Sequence, residues 1–182
     1  MSIYIHPEIK LLSEEIINNR RDFHKYPELG FQEHRTAKII SEKLKSYGLH
    51  VKENIGKTGV VGILNKNHTG KTIALRADMD ALPIQETGDV EYISQNQGIM
   101  LACGHDGHIA MLLGAAQVLA KKAKQIDGRI IFIFQPAEEG YGGAKYMIAD
   151  GVLDDVDEIY GAHLWNYQSY GTIGVKSGPV MA

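Results

Sequence analysis

Long apolar runs are missing from this chain, and so are blocks of like charge, internal repeats and low-complexity tracts. No stretch approaches the ~20 apolar residues that a bilayer-spanning helix needs, so no membrane partner is predicted. The opening residues, Met1 to Pro7, lack the basic and apolar regions of a secretory leader, and a cytoplasmic location is expected. Neither sign of charge predominates: 19 basic side chains stand against 22 acidic ones, for a formal net charge of -3, and they are scattered. That removes the electrostatic footprint of a nucleic-acid binder. Cysteine occurs once, at Cys103, which excludes an internal disulfide and leaves the thiol free for metal or chemistry.

What is present is a chain of 182 residues, 44% of them hydrophobic, enough for one domain with a real core. Ile9, Leu12, Ile16 and Phe23 recur at helical spacing and predict an amphipathic helix from Pro7 to Lys25, stopped by Pro27. A second helix is expected from Glu33 to Tyr47, with Gly48 at its C-terminal cap. Three short strands follow at Leu49 to Asn54, Gly59 to Leu64 and Thr72 to Ala77. A long helix from His108 to Ala123, a buried strand from Arg129 to Phe134, a helix from Gly143 to Asp150 and a strand from Glu158 to His163 complete the order. This alternation predicts an α/β domain of three layers, α/β/α, around a mixed, largely parallel sheet.

In open α/β sheets the functional groups gather beyond the carboxyl ends of the strands. Four segments put polar residues there: Arg76-Ala-Asp78-Met-Asp80, Cys103-Gly-His105-Asp-Gly-His108, Gln135-Pro-Ala-Glu138-Glu139, and Gly161-Ala-His163. Thiolate and imidazole suit zinc and its first-row neighbours, and the glycines beside Cys103 let nearby side chains converge. Cys103 with His105 alone divides evenly between a metal turn and a buried thiol. Adjacent Glu138 and Glu139 allow one carboxylate to bind metal while the other handles protons, the division a hydrolytic metal site requires. Taken alone, that pair slightly favours a solvent-facing acidic loop.

Five motifs in order carry a family resemblance over nearly the whole chain: Arg20-Arg-Asp-Phe-His-Lys-Tyr-Pro-Glu-Leu-Gly-Phe31, Leu75-Arg-Ala-Asp-Met-Asp-Ala-Leu-Pro-Ile84, Ala102-Cys-Gly-His-Asp-Gly-His108, Phe134-Gln-Pro-Ala-Glu-Glu-Gly140 and Gly161-Ala-His-Leu-Trp165. The sequence resembles the N-terminal portion of the metallopeptidase and amidohydrolase family of hippurate hydrolase, N-acyl-L-amino acid amidohydrolases (aminoacylase-like) and plant auxin-conjugate hydrolases. The resemblance implies two divalent metal ions, zinc or manganese foremost, cobalt or nickel as alternatives. Cys103 would bridge them, with His105, Glu139 and His163 as further ligands and Glu138 as general base. Asp80 would orient an imidazole from behind, and Asp78 stands where distant relatives place a metal-binding histidine. His24 is expected to be architectural, and Asp106 and His108 to serve helix entry and packing. Leu101 departs from the family pattern, which has a histidine there, and a polar contact is expected to be lost.

The implied activity is metal-dependent hydrolysis of the amide of an N-acyl amino acid or small peptide, with that small molecule as partner. Relatives run to roughly twice this length, so residues 1–182 are expected to be the N-terminal part of the catalytic domain, ending before a lid domain through which full-length relatives would form homodimers. On that view the 182 residues alone are expected to have little activity and to expose apolar sheet surface. Two other readings stand beside it. One is a non-catalytic remnant that binds metal or a partner polypeptide; the other makes Cys103 a covalent nucleophile with His105 or His163 as base.

Overall fold

The helix that periodicity predicts over 7–25 is two helices, α1 (Pro7–Leu11) and α2 (Ser13–Lys25). Ser13 is the reason: its hydroxyl donates to the Lys10 carbonyl at 2.9 Å, and such side chains compete with the helical ladder. These elements belong to a computed structural model that describes residues 5–178. Helix α3 (His34–Ser46) and strands β1 (His50–Ile55), β2 (Gly59–Leu64) and β3 (Thr72–Asp78) follow, then α4 (His105–Lys121), β4 (Arg129–Gln135), α5 (Gly143–Ala149) and β5 (Glu158–Gly161). No helix among the described residues is long and apolar enough to cross a membrane.

The sheet runs β1-β2-β4-β3-β5. β1, β2 and β4 pair antiparallel, whereas β3 pairs parallel with both β4 and β5, so the sheet is mixed and its parallel half is β4-β3-β5. Side chains alternate cleanly across it. Val60, Leu64, Phe132 and Phe134 face Ile40, Leu44 and Leu113 of α3 and α4, while Val61, Ile63, Ile131 and Ile133 face Met147 of α5 on the other side. Period-two alternation with both faces covered is what makes β2 wholly buried. Each side chain as large as Phe132 or Phe134 contributes about 1.5–3 kcal/mol by leaving water.

β5 differs, being an edge strand exposed along its whole length, with Ile159 and Tyr160 about half exposed. Beyond it, Leu164, Trp165 and Tyr167 also remain exposed.

One turn at the carboxyl end of β4 shows how closely the backbone is packed beside the site. A Cβ added at Gly143 would lie 1.8 Å from the Pro136 carbonyl oxygen. Backbone cannot give way cheaply, so Gly143→Ala is expected to cost about 3 kcal/mol and lower Tm by roughly 6–12 °C, checked by thermal melting.

Candidate metal centre

Asp78 closes β3 and Asp80 lies two residues beyond it; Glu138 and Glu139 follow β4, and His163 follows β5. All of these lie past the carboxyl ends of the three parallel strands, where aligned strands leave a crevice. Cys103 and His105 join them through the turn that opens α4. That helix starts three residues earlier than the apolar pattern suggests, because Gly104 adopts φ 88° and turns the chain so that His105 is its first residue. Ala137, at φ 50° and fully buried, bends the chain out of β4 and delivers Glu138 and Glu139 to the same place. Its N–H donates at 2.8 Å to Glu33, a buried carboxylate that also accepts the Thr58 hydroxyl. The sequence reading treats Glu33 only as a helix start. The signal available was an acidic residue at the edge of an apolar pattern, which solvent-facing residues share.

Two imidazoles present the same nitrogen to a common space. His105 donates from Nδ1 to the Asp80 carbonyl at 2.8 Å, leaving Nε2 with its lone pair free. His163 donates from Nδ1 to the Leu164 carbonyl at 2.6 Å, which aims its Nε2 at the Cys103 sulfur, 3.5 Å away. Holding one ring nitrogen by a carbonyl is how proteins orient imidazole ligands. His105 Nε2 lies 3.8 Å from Glu139 Oε1 and 3.9 Å from Glu138 Oε2. Asp80 accepts the Glu139 N–H at 2.9 Å as well, so one residue tethers both His105 and the Glu139 backbone.

Asp78 is held from two sides. Arg76 donates to its Oδ2 at 2.7 Å and His108 to its Oδ1 at 2.6 Å, and Oδ1 is 3.6 Å from His105 Nε2. Burial alone would push this carboxyl up, but the His108 hydrogen bond and the charge of Arg76 outweigh it and bring it down to about 2. For His105, burial favours the neutral ring, and the Asp80 hydrogen bond with the charges of Asp78 and Asp80 more than reverse that, raising it. The Cys103 thiol moves the opposite way from a nucleophile: burial, Glu139, Glu138 and Asp78 push it up to about 12. Reactive cysteines sit in electropositive surroundings that lower their pKa, so this pocket disfavours the covalent reading.

The pocket fits a cation. His105 Nε2 and Glu139 Oε1 are buried polar atoms with no hydrogen-bond partner, facing each other. Such orphans are costly, and a positive ion between them would satisfy both. Tetrahedral zinc with Zn–S of about 2.3 Å and Zn–N of about 2.0 Å separates its sulfur and nitrogen ligands by about 3.5 Å, in line with the 3.5 Å between Cys103 and His163. Cys103, His105 and His163 form one group able to hold an ion, and His105, Glu138 and Glu139 another. The seven positions that the resemblance assigns to the site, Asp78, Asp80, Cys103, His105, Glu138, Glu139 and His163, therefore lie in or beside one cluster. Leu101 does not: its side chain is buried in the core beneath, where a polar contact has no place.

A family model described as peptidase family M20/M25/M40 matches residues 74–178, more than half of the chain and all seven of these positions. The chain belongs to this family. Among curated M20 relatives, thermostable carboxypeptidase 2 of Saccharolobus solfataricus is 48% identical over 178 residues, covering 96% of this chain and 45% of its own. Hippurate hydrolase of Campylobacter jejuni is 48% identical over 178 residues, covering 97% and 46%. A solved Bacillus subtilis structure, described as a dinuclear metal binding peptidase from the M20 family, superposes with a TM-score of 0.88 at 43% identity, over 93% of this chain and 48% of that one. The chain thus spans less than half the length of the curated M20 relatives it matches.

Proposed function

We propose that these residues form the metal-binding half of an M20 amidohydrolase active site, in a protein that cleaves the amide of N-acyl amino acids or short peptides. The observation that carries this reading is the pair of buried, unpartnered atoms, His105 Nε2 and Glu139 Oε1, beside a thiol and a second imidazole. Residues 1–182 would constitute the N-terminal part of the catalytic domain. Cys103, His105, Glu139 and His163 would hold two divalent ions, zinc or manganese first and cobalt or nickel as alternatives. The ions would supply Lewis acidity, acidifying a water and polarising the scissile carbonyl.

The protein's own groups do the rest. Glu138 is the more exposed of the two glutamates, 37% against 22% for Glu139, so it faces the open side of the cluster. It takes the proton of the attacking water and hands it to the departing nitrogen. Asp80 holds His105 in the tautomer that leaves Nε2 free, and Arg76 with His108 keeps Asp78 ionised at the back of the pocket. The partner is a small N-acyl amino acid or peptide; nucleic acid and membrane are not part of this reading, and dimerisation is assigned to the lid domain of full-length relatives. A reduced thiol at the centre of the site suits a cytoplasmic compartment.

Metal uptake tests the reading directly. Zn2+ or Mn2+ at about 100 times its Kd is expected to stabilise the fold by about 2.7 kcal/mol. The shift in Tm should vanish with chelator and shrink in Cys103→Ala. A melting temperature indifferent to all four metals would remove the assignment. Uptake without release of amino acid from N-acetyl or N-benzoyl substrates, measured in the complete protein, would leave a binding protein and not a hydrolase.

A further inference from the structure

The turn that opens α4 contains a histidine that the chemistry above uses only as a prop for Asp78. His108 is buried, with Nδ1 2.6 Å from Asp78 Oδ1 and Nε2 2.9 Å from the Leu164 amide nitrogen. An amide N–H only donates, so Nε2 is the acceptor and the ring proton sits on Nδ1, where the Asp78 carboxylate receives it. Both nitrogens are committed. Although Asp78, His105 and His108 lie close enough together to hold an ion, His108 has no lone pair left to give one.

The two glycines of the same turn meet the same neighbour. A Cβ added at Gly107 would lie 2.4 Å from Leu164 Cδ1, and one added at Gly104 would lie 3.5 Å from Leu164 Cβ. Leu164 therefore rests on the bare first turn of α4, its N–H taken by His108. Its carbonyl in turn accepts Nδ1–H of His163 at 2.6 Å, which sets the tautomer and aims Nε2 at Cys103. The His163 ring also lies edge-on to that of His108, centroids 4.5 Å apart. The segment so gripped leaves an exposed edge strand, and Trp165 and Tyr167 beyond Leu164 stay exposed.

We infer that His108, Gly104 and Gly107 form a seat for Leu164, and that this seat, not the strand before it, positions His163 toward the metal. His108 is then a positioning residue. The inference deepens the proposed function, since it rests on His163 being a ligand. It also gives three residues of the Cys103-Gly-His-Asp-Gly-His108 run one shared task.

Two readouts test it on the full chain. Co2+ titration, followed by the thiolate-to-cobalt absorption, reports coordination at Cys103. Acrylamide quenching of Trp165 reports whether the segment is seated, because Trp165 is the only tryptophan and adjoins Leu164. His108→Ala and Gly107→Ala are each expected to weaken Co2+ binding by about 10–100-fold, the usual effect of losing a group that orients a ligand. Both should raise Trp165 quenching even without metal. Leu164→Ala removes the atom that Gly107→Ala strikes, so the double variant should bind Co2+ more tightly than Gly107→Ala alone, a rescue that general misfolding cannot produce. If His163→Ala binds Co2+ like the wild type, the ligand assignment fails while metal-free quenching still decides the seat. If His163→Ala weakens binding but His108→Ala and Gly107→Ala match the wild type in both readouts, the seat is wrong.

Discussion

Glu138→Gln in the complete protein is expected to lower kcat by about 10²–10⁴-fold, or about 3–5 kcal/mol of barrier, while leaving metal content unchanged. The substitution keeps the size of the side chain and one acceptor oxygen, and removes only its affinity for a proton. Glu138 stands on the open side of the cluster, 3.9 Å from His105 Nε2, and has no assigned bond to metal. Glu139→Gln should behave differently. Its Oε1 is buried, unpartnered and aimed at His105, so activity and metal affinity should fall together. Steady-state kinetics beside elemental analysis separates the two carboxylates. Equal loss of metal in both variants would deny Glu138 its role as base, and unchanged turnover in Glu138→Gln would deny it outright.

His24→Ala, away from the metal cluster, should be strongly destabilising, costing about 3 kcal/mol near pH 6 and lowering Tm by roughly 6–12 °C. The ring is buried between two carboxylates, with Nδ1 2.8 Å from Asp106 and Nε2 3.0 Å from Glu86. Both are acceptors, so both nitrogens donate and the ring is a cation. Arg20 adds a second cation at 2.7 Å from Asp106, and the Ser94 N–H caps Glu86. Arg20, Arg21 and the His24 ring gather around Tyr92, so the network ties α2, the first turn of α4 and the segment between β3 and α4 together. Alanine would leave Glu86 buried without a contacting cation, and Arg20 alone beside Asp106.

The sign with pH follows from the direction of the shift. The Asp106 hydrogen bond, against burial and aided by Glu86, raises His24 above the ordinary histidine value near 6.5. The imidazolium is then favoured by folding. Its contribution is fully present below about pH 6.5 and is lost as pH rises through the folded-state value. The stability gap between the wild type and His24→Ala, measured by denaturant titration in chelator, should narrow on going alkaline. A gap that widens with pH would mean the ring is buried neutral.

Much of this architecture is legible one segment at a time. β2 matches its expected limits because Gly59 and the polar residues after Leu64 bracket an unbroken apolar run. The β4 apolar run and the glycine-bounded α5 are similarly local, and each lies within a residue of its expected end. Where local rules compete, the reading slips. Ser13 splits a helix whose apolar spacing is continuous, and Gly104 starts α4 in front of its apolar face. Strand direction is not legible at all, since nothing within β2 records that it will pair antiparallel with β4, about 70 residues away.

The candidate site divides the same way. Residue type and order alone determined that Cys103, His105, Glu138, Glu139 and His163 are the chemical groups at issue, because thiolate, imidazole and carboxylate are intrinsic to those side chains and the family motifs stand in sequence. Only the tertiary structure decided which nitrogen of each imidazole is free, since that depends on carbonyls at Asp80 and Leu164 that the fold brings alongside. It likewise moved His108 from a packing position to a clamp on Leu164, and His24 from a helix residue to a buried cation. A lone pair takes its direction, and a buried charge its partner, from neighbours distant in the chain, and no local pattern carries that information.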